Sequence, residues 1–509
     1  MPGAARMKTF RAVSLEALSV VAALLIFLLG VGLRLLNLTN PPLDFHAWRQ
    51  LRAATIARGM YYQMMPAEIQ AEREVEISMI NYFEILEPRL FERLVAITYY
   101  FTGGERLWIA RLYTIAFWSL GGLALFLLAR RIFSTPAALV TLVYYFVLPY
   151  GVTASRSFQP DPWMVMWIIW AAYAWHRWRE SKGWKWALLA GVFSGMAVLI
   201  KVFAVYLIVA VSVLAVLAVQ PFRKALRDSQ VWVAAAVMIL IPAVYYFGST
   251  GNLASGYISG WVLGFQGLLL KPYFYVRWLN TLHSLMDLVA VIIGAACVTL
   301  FPQRSRYLMI GLWLGYLLIG LSVPSLIVTH DYYNLTLIPI VALSLAWLGQ
   351  QVFEKLAELP WSWRYVFIAI ALLGLAYPSW ISRNTLVAVN YRDEVKGWQK
   401  MGQELPQNAK IIGITHDYGA RLMYYGKVAV TMWPYAADQK MNLLAGGNIN
   451  MNDSYWVEEF QRRTQGYDYF IVTNFVELDA QPVLKELLYG RYSYRTGEGY
   501  ILFDLHSAP

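Results

Sequence analysis

The sequence holds a single cysteine, Cys297, and it lies inside an apolar run. No intrachain disulfide is therefore available, and no CxxC pair exists to bind a metal or pass electrons. Charge is scarce as well. Only 14% of residues are Asp, Glu, Lys or Arg, where soluble domains carry roughly 25%, and this rules out an ordinary cytosolic enzyme. There is no P-loop, GxGxxG, HExxH or GxSxG context, which argues against ATP-driven pumping and the usual soluble hydrolase chemistries. Neither an internal repeat of the kind a two-fold transporter needs nor a low-complexity linker is visible. The net charge of +11 sits in short loops between apolar runs; that placement reports membrane topology and not nucleic-acid binding.

What the sequence has in abundance is apolar surface, 59% of its residues. Given the ~20 residues a bilayer requires, eleven spans are predicted, near 17–33, 112–129, 132–154, 160–175, 186–200, 202–220, 231–248, 288–302, 307–323, 335–350 and 365–381. The uncharged stretch from Ser229 to Leu270 has room for a second span after Gly251 or for a re-entrant segment. The first run is too long, and its sequel too bulky, for a cleaved signal peptide, so it reads as a retained anchor. Basic residues alternate: Arg6, Lys8 and Arg11; Arg130 and Arg131; Arg177, Arg179, Lys182 and Lys185; Arg223, Lys224 and Arg227; Arg304 and Arg306; Lys355 and Arg364. All fall on one face if the first span starts inside, which puts the N-terminus in the cytoplasm and the C-terminus outside. The long segment 36–111, the turns around Arg156 and His330, and everything after Ser382 are then extracytoplasmic.

The tail changes character. A helical stretch, Arg392 to Leu405, precedes β-rich runs at Ala409–Thr415, Lys427–Trp433 and Tyr467–Asn474 and a terminal pair around Gly497-Glu498-Gly499. These predict a small soluble α/β domain of roughly 120 residues. The expected architecture is an α-helical polytopic membrane domain over 1–382 followed by an extracytoplasmic α/β domain over 383–509.

Charged groups at a membrane edge are costly and therefore mark candidate sites. The richest cluster follows the first span: Asp44, His46, Arg49 and Gln50, then Arg52 and Arg58. A carboxylate, an imidazole and guanidiniums this close suit acid/base chemistry beside a phosphate, although Arg52 and Arg58 also read as contacts to lipid headgroups. A second cluster, Ser155-Arg156-Ser157-Phe158-Gln159-Pro160-Asp161-Pro162, opens the fourth span, and Asp161 suits either chemistry or a helix start. Lys201 separates two apolar runs and calls for an anionic partner, either a carboxylate or a lipid phosphate; snorkelling is the bland alternative. The third cluster is Thr329-His330-Asp331-Tyr332-Tyr333-Asn334, in which the tyrosines suit an aromatic belt and His330 with Asp331 suits a substrate hydroxyl. No second His stands at ligand spacing, so a metal site is not supported. His416 follows a strand of the tail and suits a cap. Glu87-Pro88 precedes an amphipathic helix starting near Leu90. The sequons at Asn37, Asn334 and Asn452 arise too easily by chance to argue for glycosylation.

These clusters, in this order, resemble the GT-C glycosyltransferases of the protein O-mannosyltransferase and aminoarabinose transferase type, including bacterial dolichyl-phosphate-mannose-protein mannosyltransferase-like families. The resemblance rests on DFHAWRQLRAATIAR (Asp44 to Arg58), Glu87-Pro88, RLYTIAF to ARRIF (Arg111 to Phe133), SRSFQPDP (Ser155 to Pro162), Lys201 and HDYYNLTLIP (His330 to Pro339). It implies transfer of a sugar from a polyprenyl-phosphate donor to an acceptor hydroxyl on the outer face, with inversion. On that resemblance Asp44 is the general base and Asp161 the second acidic residue, near the donor sugar. Arg49, Arg156 and Lys201 would hold the lipid phosphate, and His46, Gln50, Glu87, His330, Asp331, Tyr332 and Tyr333 are substrate-binding candidates. The chain departs from the pattern where Phe45 and His46 follow Asp44 in place of an adjacent acidic residue, and where Glu87-Pro88-Arg89 replaces His-Pro-Pro. The implied partners are a polyprenyl-phosphate-linked sugar, membrane lipids and an acceptor protein, lipid or glycan in a cell envelope; the sequence requires no cofactor and leaves a divalent cation open but without support. A secondary transporter or lipid flippase would also need intramembrane charge, but here the charges gather in outer loops and paired broken helices are missing.

Overall fold

The computed structural model describes residues 2–66, 70–83, 87–248, 262–444 and 453–507. They form two compact units, one of residues 1–38 and 111–389, the other of residues 39–110 and 390–509. The long loop after the first helix therefore clusters with the C-terminal segment, so the units divide the chain elsewhere than at 382.

The first unit is helical, and the protein is a multi-pass membrane protein. Each expected span falls on a helix: Pro2–Leu35, Trp108–Ile132, Thr135–Val147 with Pro149–Ala154, Asp161–Ser181, Trp184–Ile200, Ala204–Leu217, Ser229–Gly248, Leu288–Cys297, Gln303–Ser322, Leu337–Glu358 and Trp361–Ala388. By length and composition, six helices among the described residues are long and apolar enough to cross a membrane, or seven if one bent pair is a single span, with three shorter apolar helices besides. That is fewer than the eleven predicted, because several apolar runs stop short of a bilayer's width and Asp161–Ser181 carries charge at both ends. The bent pair turns by 98° between Pro272–Met286 and Leu288–Leu300; Asp287 sits at the corner and accepts the Val289 N–H at 3.1 Å. The second span after Gly251 and the sequon at Asn452 lie outside the described residues.

Small residues set the helix packing. A β-carbon on Gly315 would stand 2.4 Å from the Leu207 Cα, and one on Gly311 2.9 Å from the Val211 Cα. Helices Gln303–Ser322 and Ala204–Leu217 thus meet backbone to backbone through a Gly-x-x-x-Gly pair, the contact that works between helices when lipid offers no hydrophobic drive.

The second unit holds loop helices Ala47–Met64, Gln70–Ser78 and Leu90–Thr102, the helix Arg392–Glu404, and five strands: β1 Ile411–Ile414, β2 Val430–Met432, β3 Tyr469–Val472, β4 Tyr494–Gly497 and β5 Tyr500–Asp504. The sheet order is β2-β1-β3-β5-β4. β1 runs parallel to β2 and β3, while β5 is antiparallel to β3 and β4. The small C-terminal mixed α/β fold is as predicted, and period-two alternation explains its two cores. Ile412, Ile414, Phe470, Val472 and Phe503 face one side with Trp433 and Phe460; Ile411, Ile471 and Leu502 face the other with Trp398 and Leu422.

Candidate functional site

In the second unit the chain reaches Asp44 through Pro41-Pro42 and then turns into helix Ala47–Met64. The turn is made by His46, which holds φ 41° and ψ 65°. A left-handed backbone costs a residue with a β-carbon roughly 1–2 kcal/mol, and such strain clusters at functional positions. The His46 carbonyl accepts the N–H groups of Arg49 and Gln50, so the strained residue starts the helix. Gln50, in the first turn, donates its amide to Asp44 Oδ1 at 3.2 Å and to the Phe45 carbonyl at 2.6 Å. This fixes a half-buried carboxylate at the entrance of the helix.

The same helix aims guanidiniums at the second loop segment. Arg49 spans both Glu87 carboxylate oxygens, at 2.8 and 2.9 Å. One turn on, Arg52 is 3% exposed; burial, then the neighbouring Arg49, pull its pKa down to about 10. Burial raises the pKa of Glu92 above its ordinary value. With Arg89 the cluster holds three guanidiniums against Glu87 and Glu92, and it carries a surplus of positive charge. Arg58 is also buried: it pairs with Glu76 at 2.6 Å, donates to the Tyr424 carbonyl at 2.8 Å and lies over the Tyr424 ring at 4.3 Å. The headgroup reading of Arg52 and Arg58 is thereby corrected, because both guanidiniums are enclosed by protein. His416 of the tail donates its backbone N–H to Thr473 Oγ1 at 3.1 Å, as a strand-end residue.

In the first unit, Lys201 breaks the helical run between Ile200 and Ala204 with an extended backbone. Its ammonium meets Asp161 Oδ1 at 2.9 Å, with side chains 3% and 1% exposed. The rings of Tyr333 and Tyr332 stand 4.4 and 4.8 Å from the nitrogen. Of the two partners the sequence allows, the carboxylate is in place. Arg156 donates to the carbonyls of Leu36 and Asn37 at 2.5 and 3.2 Å, and so ties the turn to the end of the first helix. The Asp331 carbonyl accepts from the Tyr150 hydroxyl at 2.8 Å. His330 Nδ1 lies 2.8 Å from Thr329 Oγ1. Among the described residues no group of three or more His, Cys, Asp or Glu stands where it could hold a metal ion.

Residues 87–246 match the family model described as dolichyl-phosphate-mannose-protein mannosyltransferase. Among solved structures, the archaeal oligosaccharyltransferase AglB from Archaeoglobus fulgidus, in complex with an inhibitory peptide and a dolichol-phosphate, aligns with a TM-score of 0.61 at 15% identity, over 96% of this chain and 75% of that one. ArnT from Cupriavidus metallidurans bound to undecaprenyl phosphate aligns with a TM-score of 0.54 at 15% identity, over 97% of this chain and 98% of that one. The chain has the GT-C fold. The family segment covers under a third of the chain, and the solved structures share its fold. No curated protein matches the chain by sequence.

Within the GT-C fold, the structure groups Asp44, His46, Arg49, Gln50 and Glu87 in the second unit, and Arg156, Asp161, Lys201 and His330 to Tyr333 in the first. The sequence reading passed over Arg34, Arg89, Glu92 and Glu105. Arg34 is fully buried and donates to Ser155 Oγ at 2.7 Å and to the carbonyls of Gly30 and Phe146 at 2.8 and 2.9 Å. Its place at the end of an apolar helix looks like a topology signal, and only burial reveals the latch.

Proposed function

We propose that the protein moves a sugar from a polyprenyl-phosphate donor to an acceptor hydroxyl on the extracytoplasmic face, with inversion and with Asp44 as general base. The observation that carries this reading is the setting of Asp44. It precedes a strained left-handed His46 and is held by Gln50, on the helix that bears Arg49 and Arg52. A carboxylate held at the helix entrance can take a proton, and the neighbouring positive surplus suits a phosphate.

In the step proposed, the acceptor oxygen attacks the anomeric carbon and passes its proton to Asp44. The bond from the anomeric carbon to the phosphate oxygen breaks, and its electron pair leaves with the lipid phosphate. Negative charge grows on that phosphate, so a nearby cation stabilises the transition state more than the ground state. Arg49, with Arg52 and Arg89, is assigned this task. The donor class is supported by the lipid phosphates named with AglB and ArnT. Asp161 is assigned to the donor sugar, with Lys201 and Arg156 as the groups that position it. The acceptor is a protein, lipid or glycan hydroxyl, and basic loops on the opposite face support the outward orientation.

The test is turnover of a polyprenyl-phosphate sugar by purified Asp44→Asn protein. The amide keeps the shape and loses the basicity, so a fall of about 100-fold or more is expected, with unchanged circular dichroism. Near-normal turnover removes Asp44 from the role of base.

A further inference from the structure

The turn that delivers Asp161 to its helix carries a second polar group that the proposed chemistry leaves unused. Gln159 is 1% exposed, like Asp161 two residues later. Among the described residues neither its Oε1 nor its Nε2 has a hydrogen-bond partner, and the same holds for Asp161 Oδ2, while Oδ1 is taken by Lys201. The neighbouring polar groups of this turn are engaged: Ser155 accepts from Arg34, Ser157 donates to the Ala154 carbonyl, and Arg156 donates to Leu36 and Asn37. A buried polar atom left unpaired costs roughly 1–3 kcal/mol. A methionine would fill the space of Gln159 without that cost, so the carboxamide is kept at the expense of stability.

We infer that Gln159 and Asp161 Oδ2 together read two adjacent hydroxyls of the transferred sugar. This inference rests on the donor being a polyprenyl-phosphate sugar. A carboxylate oxygen only accepts, whereas a carboxamide both donates and accepts. A vicinal diol, in which each hydroxyl donates once and accepts freely, satisfies all three unpaired atoms at once. Lys201 holds the carboxylate by its other oxygen, and Gln159 stands two residues before Asp161 on the same buried turn. Gln159 is thus a specificity residue for the sugar and has no part in holding the phosphate.

The experiment compares ligand-induced thermal stabilisation and turnover in the full chain, using undecaprenyl phosphate alone and a panel of undecaprenyl-phosphate-linked pentoses and hexoses, each with single-deoxy analogues. The Gln159→Met variant should respond to undecaprenyl phosphate as the wild type does, and should lose about 10-fold or more in kcat/KM on the preferred sugar-linked lipid. Without ligand its melting temperature should equal or exceed that of the wild type. The wild type itself should lose a similar factor when either of two neighbouring hydroxyls is removed, and the variant should be indifferent to one of them. A wild type that responds to no sugar-linked lipid overturns both the functional reading and this inference. A wild type that turns over a donor, alongside a Gln159→Met variant with the same kcat/KM and the same deoxy profile, overturns this inference alone. If the variant does not fold, a wild type insensitive to every deoxy position is equally decisive against it.

Discussion

Exchanging Lys201 for methionine should destabilise the protein far more than the loss of one surface charge. The ammonium and the Asp161 carboxylate are 3% and 1% exposed and 2.9 Å apart, so removing the cation leaves a buried carboxylate without its charge partner. Breaking a buried pair from one side costs about 3–5 kcal/mol. The loss of two cation–ring contacts with Tyr332 and Tyr333 adds to this, each worth up to about 2 kcal/mol when desolvated. Asp161→Asn alone should cost a comparable amount, because it strands the ammonium. The double variant, Lys201→Met with Asp161→Asn, should recover part of the loss, since the second change removes the charge that the first exposed. Thermal or denaturant unfolding of the four proteins in one detergent closes the cycle, and a coupling of about 2 kcal/mol or more is expected. Strictly additive effects would refute the reasoning. A Lys201→Met protein with wild-type stability and impaired donor binding would do so as well, and would return Lys201 to the lipid phosphate.

Arg58→Leu removes a guanidinium that pairs with the 1% exposed Glu76 and donates to the carbonyls of Met423 and Tyr424. It should cost about 3–5 kcal/mol and admit protease to the 39–110 loop before the helical unit is cut; an unchanged digestion pattern counts against this role of Arg58. Burial raises the pKa of Glu105 above its ordinary 4.5, against the attraction of Arg58. The folded state therefore retains a proton that the unfolded chain releases, and stability is lost as pH rises from 4.5 through the raised value. Glu105→Gln should flatten that part of the melting-temperature profile, and an identical slope in the variant would show that another group is responsible. Gly315→Ala puts a methyl 2.4 Å from the Leu207 Cα, a backbone atom that cannot swing aside. A loss of about 1–3 kcal/mol is expected, and a Gly315→Ala protein that melts with the wild type would show that the two helices can separate freely.

Much of this protein is legible from residue types in order. The helix positions, the strands at 411–414, 430–432 and 469–472 and the closing hairpin follow from apolar periodicity and turn residues, which are local properties summed along the chain. The GT-C resemblance was legible for the same reason, because its motifs are short runs of sequence. Partners were not. Lys201 demanded an anion, and the sequence left a carboxylate and a phosphate equally open; the packing of helices forty residues apart supplied Asp161. Arg156, a phosphate ligand on the resemblance, donates to the carbonyls of Leu36 and Asn37, a contact that chain order does not show. Arg52 and Arg58 look like surface cations and are enclosed, while Arg34 is buried and joins its own helix to the Phe146 carbonyl and the Ser155 hydroxyl. The sequence by itself determined which segments leave water and which stay in it, because transfer free energy adds residue by residue. Only the tertiary structure decided which charge meets which, because hydrogen bonds and ion pairs depend on tenths of an ångström between groups that the chain order does not bring together.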